Sequence, residues 1–167
     1  TAEPRRDAEL GLLAVEAVRT GEAGPTREAV YFAADRMDHS HTWIRPRLSK
    51  GHVVVSERNV HSSLVYQGVV GDLGIEEVAR MNAAAMIPDL CVWVDCDPSA
   101  ALRRIEHGTL RLSTLDKQEY FETDEYQVQI RAGYHALLGG EVPMPEPFDQ
   151  GRVIGPIIND GTKDDLK

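Results

Sequence analysis

Residues 44–68 have the sequence IRPRLSKGHVVVSERNVHSSLVYQG, the most informative segment of the chain. Its β-branched run at 52–56, HVVVS, lacks polar alternation and therefore predicts a parallel strand covered on both faces. Glu57 and Arg58 follow at the carboxyl end of that strand, the edge where open parallel sheets bind ligands. A guanidinium there, close to hydroxyl groups and a helix start, predicts a phosphate site; a salt bridge from Arg58 to a neighbouring acid is the alternative.

Helical and strand-like patterns alternate on both sides of this segment, which is typical of βαβ units around a parallel sheet. The sequence thus predicts an α/β fold. It contains no internal repeat and no low-complexity segment, so residues 1–167 are assigned to one domain. The predicted strands are 52–56, 90–95 and 153–158. The predicted helices are 7–19, 26–48, one that follows the glycine-rich segment 68–74, 98–107 and 118–138. Thr26 is the expected N-cap of the second helix, which Pro46 and Gly51 end, and Asp97 is the expected N-cap of the helix at 98–107.

The composition excludes several classes of protein. With 42% hydrophobic and 27% charged residues, the 167-residue chain is neither disordered nor fibrous. A net charge of −9 argues against a nucleic-acid-binding face or a polybasic membrane patch, so any bound anion must be held by a few local arginines. The histidines show no metal-ligand spacing, and His39 and His41 are predicted to be structural. Because the chain has no apolar stretch of the ~20 residues that span a bilayer, we expect a soluble protein. No disulfide is expected between Cys91 and Cys96, which indicates a reduced, cytoplasmic protein.

Five segments of the chain resemble, in order, the motifs of the thymidylate kinase family, a branch of the nucleoside monophosphate kinases. The most specific match lies within residues 44–68, which are similar to the pattern I-x-P-x-L-x-x-G-x-x-V-[IV]-x-[DE]-R-x-x-x-S-S-x-A-Y-Q-G. The resemblance implies a P-loop NTP hydrolase fold of three layers, in which five parallel strands in the order 2-3-1-4-5 are flanked by helices. The other four segments are TAEP at 1–4, YFAADRMDH at 31–39, PDLCVWVDCDPSAALRR at 88–104 and IRAGYHAL at 130–137.

The resemblance also implies an activity, the transfer of the γ-phosphoryl group of ATP to dTMP with Mg²⁺, giving dTDP. We therefore expect dTMP, ATP and Mg²⁺ as ligands, with no nucleic acid or membrane as a partner, and a homodimer. Two alternatives stay open. One is a nucleotide-binding or regulatory relative without catalysis, and the other is a kinase for another pyrimidine monophosphate such as dUMP.

The resemblance implies a site for dTMP. Phe32 would stack on the base and Arg36, four residues on along the same helix face, would reach a base carbonyl; stacking on a base is worth ~1–3 kcal/mol. Ser63 would bond the pyrimidine edge and Tyr66 would crowd the sugar 2′ position. An ordinary core role for Phe32, a surface ion pair for Arg36 and a merely structural turn at the amino end are the alternatives. The other residues implied to contact dTMP are Glu3, Pro4, Arg58, Ser62 and Gln67.

The resemblance implies a set of charged residues around the phosphates as well. Arg58 would hold the 5′-phosphate, and Glu57 would act through Mg²⁺, its waters or the sugar end of dTMP, unless it is only the partner of a nearby arginine. Phosphoryl transfer depends on positioning and on charge stabilisation. Residues 104–117 stand where the family has its lid, and which of Arg104, Arg111 and Lys117 touches the transferred phosphate stays open, solvated loop charge being the alternative for each.

One family motif has no counterpart in the chain. No G-x-x-x-x-G-K-[ST] phosphate loop occurs in residues 1–167, although in the family this loop cradles the donor phosphates and precedes the turn matched at 1–4. Only strands three, four and five of the implied sheet are found, so its central strand would be missing. Because unpaired inner edges are untenable, we expect the natural polypeptide to extend at both ends, by about three dozen residues upstream.

Overall fold

The computed structural model describes residues 1–106 and 120–161, with the backbone alone at Glu106. Helices alternate with a parallel sheet, so the predicted α/β class is confirmed. The helices are α1 (Glu9–Thr20), α2 (Pro25–Asp38), α3 (Arg45–Leu48), α4 (Val60–Ser63), α5 (Ile75–Met81), α6 (Pro98–Glu106) and α7 (Asp124–Leu138), with π-helical turns at His39–Ile44 and Leu64–Val70 and a 3₁₀ turn at Phe148–Gln150; the strands are β1 (Leu90–Asp95) and β2 (Arg152–Ile158).

The two strands form a parallel pair. They are in register from Leu90 opposite Arg152 to Asp95 opposite Ile158, with an irregularity between Val92 and Val94. β2 is rich in β-branched side chains, and β1 has valines at 92 and 94; such side chains fit a pleated surface. Both predictions are therefore confirmed, with β2 beginning one residue earlier than expected.

The predicted strand at 52–56 is wrong in its pairing and in its burial. Residues 52–56 form no strand, and the nearest ladder contact is a single isolated parallel bridge between Ala2 and the adjoining Glu57. Val53 is 90% exposed and Val55 78% exposed, so the segment is not covered on both faces. The physical reason is an open cleft of about 750 Å³ between this segment and β1, which leaves the valines without packing partners in the described part of the chain.

Several predicted helix boundaries are also corrected. Helix α2 begins at Pro25 behind Gly24, not behind Thr26, because proline lacks an N–H and is suited to the first helical position. The predicted long helix is interrupted by the π-helical turn after α2 before it ends with α3. Helix α7 begins at Asp124, where Thr123 accepts a hydrogen bond from the backbone N–H of Tyr126, so the prediction from 118 started too early. By contrast, Asp97 caps α6 as predicted, since its carboxylate accepts from the N–H of Ala100.

The core lies where α1, α4, α7 and the turn Leu64–Val70 meet. Gly133 permits close packing there, because a Cβ at this position would lie 2.9 Å from Cγ1 of Val65. None of the described helices is both long and apolar enough to cross a membrane. The core consists of buried apolar side chains, namely Val18, Val60, Leu64, Val65, Val78, Ala79, Phe121, Ile130, Leu137 and Phe148.

Candidate functional site

A cavity of about 130 Å³ opens beside this core, between the amino-terminal turn, α2 and the turn Leu64–Val70. The backbone explains how these distant segments meet. The N–H of Glu3 donates to the carbonyl of Glu57 at 3.0 Å, and the N–H of Glu57 donates to the carbonyl of Thr1 at 2.9 Å. The cavity is lined by Glu57 and by all nine residues implied to contact dTMP, which are Glu3, Pro4, Phe32, Arg36, Arg58, Ser62, Ser63, Tyr66 and Gln67.

Arg36 forms the deepest polar part of the cavity wall, with 1% of its surface exposed. Its Nε donates to Glu3 at 2.6 Å, Nη1 donates to Asn82 at 2.6 Å, and Nη2 donates to Ser63 at 3.1 Å. A guanidinium has five N–H groups, so two remain without a partner among the described residues. Arg36 is therefore a rigidly held donor, and the surface ion pair weighed as an alternative is wrong because the side chain is buried.

Glu3 is the buried counter-ion of this arginine. Its second oxygen lies 3.1 Å from Nδ1 of His39, whose Nε2 lies 2.9 Å from the hydroxyl of Thr1. Burial alone would raise the pKa of Glu3, but the charge of Arg36 and the hydrogen bonds from His39 and Arg36 outweigh it and lower that pKa. Glu3 is thus ionised and orients Arg36, and the predicted structural role of His39 fits its place behind Glu3.

Glu28 is a second buried carboxylate, one layer behind the cavity wall. Its Oε1 accepts from Nε2 of Gln67 at 2.6 Å, and its Oε2 accepts from the hydroxyl of Tyr120 at 2.9 Å. Burial raises the pKa of the Tyr120 hydroxyl, and the negative charge of Glu28 raises it further. The sequence pattern marked Glu28 only as an acid in the first turn of a helix, and marked Asn82 not at all. The available signals were a carboxylate in the first turn of α2 for Glu28 and a polar residue directly after α5 for Asn82.

Aromatic side chains form the opposite wall. Tyr66 meets the ring of Phe121 edge-on at 5.0 Å and that of Tyr134 at 6.5 Å. The hydroxyl of Tyr134 donates to Ser62 at 2.8 Å. Phe32 is half-buried and packs partly against the core, so a face of the ring remains available to the cavity. This wall offers π surfaces at one side of a polar pocket.

Arg58 lies at the exposed mouth of the cavity. Its φ of 64° places a non-glycine residue in the left-handed region, which is uncommon and often marks functional positions. The hydroxyl of Ser56 donates to the carbonyl of Arg58 at 3.0 Å, and the guanidinium lies 5.4 Å from the centre of the Tyr66 ring. Glu57, beside it, is exposed on the rim.

Arg104, the one named lid residue that lies within the described structure, does not line this cavity. Arg104 donates to the carbonyls of Asn159 and Gly161, both at 2.7 Å, and so fastens α6 to the chain that follows β2. Arg111 and Lys117 lie outside the described residues. Within residues 1–106 and 120–161 no group of three His, Cys, Asp or Glu side chains is arranged to hold a metal ion.

Asp95, the acid at the carboxyl end of β1, is already engaged. Arg131 donates to its two oxygens at 2.9 and 2.7 Å, and Nε2 of His135 lies 3.2 Å away. The hydrogen bond from Arg131 is the main reason why the pKa of Asp95 is lowered. This strand end therefore contains an ion pair, whereas the end at Glu57 and Arg58 opens into a cavity.

Comparison with known proteins gives consistent matches. The family model described as thymidylate kinase matches residues 1–143. A probable thymidylate kinase of Pyrobaculum calidifontis is 34% identical over 161 residues, covering 96% of this chain and 78% of the relative. The thymidylate kinase of Clavibacter michiganensis subsp. michiganensis is 37% identical over 89% of this chain and 69% of the relative, and that of Anoxybacillus flavithermus is 40% identical over 66% and 53%.

Proposed function

The chain belongs to the thymidylate kinase family, and on that premise we propose that the protein containing it transfers the γ-phosphoryl group of ATP to dTMP, giving dTDP and ADP. One observation supports this most directly. The nine residues expected at the dTMP site come from three separate segments of the sequence, yet all of them line one cavity. A pocket with a buried donor at one end and an exposed guanidinium at the other suits a neutral base that carries a phosphate.

The base would occupy the deep end. Phe32 would stack on the ring, and the two unused N–H groups of Arg36 would donate to a base carbonyl. Ser63 and Gln67 would bond the neighbouring edge of the pyrimidine, and Tyr66 would crowd the sugar 2′ position and favour deoxyribose. Because Arg36 is held by three partners, the donor is oriented before the base arrives, which reduces the entropic cost of binding.

The phosphate would occupy the mouth. The planar guanidinium of Arg58 can donate two parallel hydrogen bonds to the 5′-phosphate. Glu57 offers hard oxygen atoms at the rim, the type of ligand that Mg²⁺ prefers, so this residue would hold the ion directly or through its waters. When bound, Mg²⁺ neutralises charge on the transferred phosphoryl group. The candidates for contact with that group are Arg104, Arg111 and Lys117.

The donor side rests on the proposed architecture of five parallel strands in the order 2-3-1-4-5. A strand between residues 52–56 and β1 would fill the cleft of about 750 Å³ and cover the exposed valines on both sides. The phosphate loop that binds ATP would follow that strand. A homodimer and a cytoplasmic location remain predictions.

A steady-state assay of the full-length natural protein tests the proposed function. Formation of ADP would be followed with dTMP, dUMP and dCMP as acceptors, with ATP and Mg²⁺ present. We expect dTMP to have the highest kcat/KM. A preference for dUMP would replace the proposed acceptor, a preference for dCMP would overturn the assignment of the base pocket, and binding of dTMP without turnover would indicate the inactive relative.

A further inference from the structure

The buried carboxylate of Glu28 bonds two uncharged groups that face it from different elements. It has 3% of its surface exposed and does not line the cavity. Gln67, which does line the cavity, donates from Nε2 to Oε1 at 2.6 Å, and Tyr120 donates from its hydroxyl to Oε2 at 2.9 Å. Glu28 therefore stands one layer behind the base pocket and reaches it through Gln67.

Oε1 of Glu28 accepts its hydrogen bond from the NH₂ end of Gln67, and this fixes the orientation of the amide beside it. The two ends of a glutamine amide have nearly the same shape, but only the NH₂ end can donate to this oxygen. Turning the amide over would replace the hydrogen bond by a contact between two acceptor oxygens. The carbonyl end of Gln67 is thus the end left for the cavity, and among the described residues it accepts no hydrogen bond.

We propose that Glu28 is a positioning residue that gives the base pocket its preference for pyrimidines with a 4-oxo group and an N3–H over cytosine. The inference rests on the proposed function. Arg36 offers N–H donors and Gln67, held by Glu28, offers an oxygen acceptor, which together complement the edge shared by thymine and uracil. Cytosine presents an amino group and an unprotonated N3 at the same positions, so it would place donor against donor and acceptor against acceptor.

Glu28→Gln tests the inference in the full-length natural protein. A glutamine at position 28 can turn either end toward Gln67, so the Gln67 amide becomes free to adopt both orientations. We expect the ratio of kcat/KM for dTMP over dCMP to fall about tenfold or more, a size typical of losing a fixed polar contact. Activity with dUMP should fall in parallel with that for dTMP, because uracil has the same edge and differs by the methyl group alone. A merely structural role would lower all three values together and leave the ratios unchanged.

Two further variants separate the positioning effect from general damage. Tyr120→Phe removes the hydrogen bond from Tyr120 to Glu28 but keeps the one from Gln67, so it should preserve the dTMP:dCMP ratio. In a Gln67→Met background, which has no amide to orient, Glu28→Gln should no longer change that ratio. The inference would be overturned if Glu28→Gln left the dTMP:dCMP ratio unchanged in the otherwise unmodified protein. It would also be overturned if Glu28→Gln abolished that preference in both the unmodified and the Gln67→Met backgrounds.

A measurement on the unmodified protein does not depend on whether Glu28→Gln folds. In the complex with dTMP, the side-chain NH₂ protons of ¹⁵N-labelled Gln67 should show stronger nuclear Overhauser effects to Tyr120 than to the base. Stronger effects from those protons to the base than to Tyr120 would refute the assigned orientation. These outcomes are distinct from failure of the proposed function, which would appear as unmodified enzyme that does not prefer dTMP over dCMP.

Discussion

The two ends of the cavity hold their arginines in opposite ways. At the deep end, Arg36 is buried and fixed by Glu3, Asn82 and Ser63. At the mouth, Arg58 is exposed, and its guanidinium lies over the ring of Tyr66. A buried charge without its partner is costly, whereas an exposed one is solvated. We therefore expect substitutions at the deep end to affect stability and those at the mouth to affect turnover with little effect on the fold.

Arg58→Ala gives the largest expected effect and defines the mouth. Loss of the guanidinium that positions the 5′-phosphate should lower kcat/KM for dTMP by about 1,000-fold or more. The free energy of unfolding should change by no more than about 0.5 kcal/mol, because the side chain is exposed. Steady-state kinetics and urea unfolding of the full-length protein measure the two quantities. Arg27→Ala, at an exposed arginine of α2 away from the cavity, serves as the matched control, and retention of most activity in Arg58→Ala would refute the phosphate role.

Arg36→Met should mainly lower the free energy of unfolding, in contrast to Arg58→Ala. The substitution leaves the Glu3 carboxylate buried without its cation, which costs about 3–5 kcal/mol of the free energy of unfolding. Urea unfolding measures this loss, and Glu3→Gln in the same background should recover part of it because the buried charge is removed. A loss below 1 kcal/mol would mean that substitution of the buried Arg36 costs no more stability than substitution of an exposed side chain.

The stability of the deep end should also depend on pH, because His61 lies buried near Arg36. Burial, and then the charge of Arg36, lower the pKa of His61 from 6.5 to about 4. On acidification the unfolded chain takes up this proton first, so the contribution is complete above pH 6.5, declines as the pH falls towards 4 and is lost below that. The decline amounts to about 3 kcal/mol, and urea unfolding at a series of pH values measures it. His61→Gln should abolish this part of the decline; an unchanged profile in that variant would contradict the assignment.

The sequence predicted which residues line the cavity far better than which residues hold the side chains at its deep end. Local motifs named all nine lining residues implied for dTMP, because each motif places a particular side chain on a helix face or at a strand end. The partners that hold those side chains come from elsewhere in the sequence. Asn82 and Glu28 reach Arg36 and Gln67 across 46 and 39 residues, and only tertiary packing brings such groups together.

The fold was likewise predictable where it depends on local sequence patterns and not where it depends on distant neighbours. Periodicity located β1, β2 and most helices, since these patterns are local. It failed at 52–56, where a β-branched run predicts burial but the described chain supplies no neighbour on the cleft side. It also missed the π-helical turns at His39–Ile44 and Leu64–Val70, which leave the apolar spacing of a helix nearly unchanged.

Tyr134→Phe tests the support behind the aromatic wall and gives the smallest expected effect. Its hydroxyl donates to Ser62, which lines the cavity, so its removal should cost about 0.5–1.5 kcal/mol of the free energy of unfolding, the usual net value of one hydrogen bond. Tyr126→Phe is the matched control, because Tyr126 lies on the same helix and its hydroxyl forms no hydrogen bond within the described residues; its effect should be smaller. Equal effects of the two variants would show that the bond to Ser62 does not stabilise the wall. A rise in KM for dTMP in Tyr134→Phe alone would show that the wall orients Ser62 for the ligand, because the lost bond would then weaken binding as well as folding.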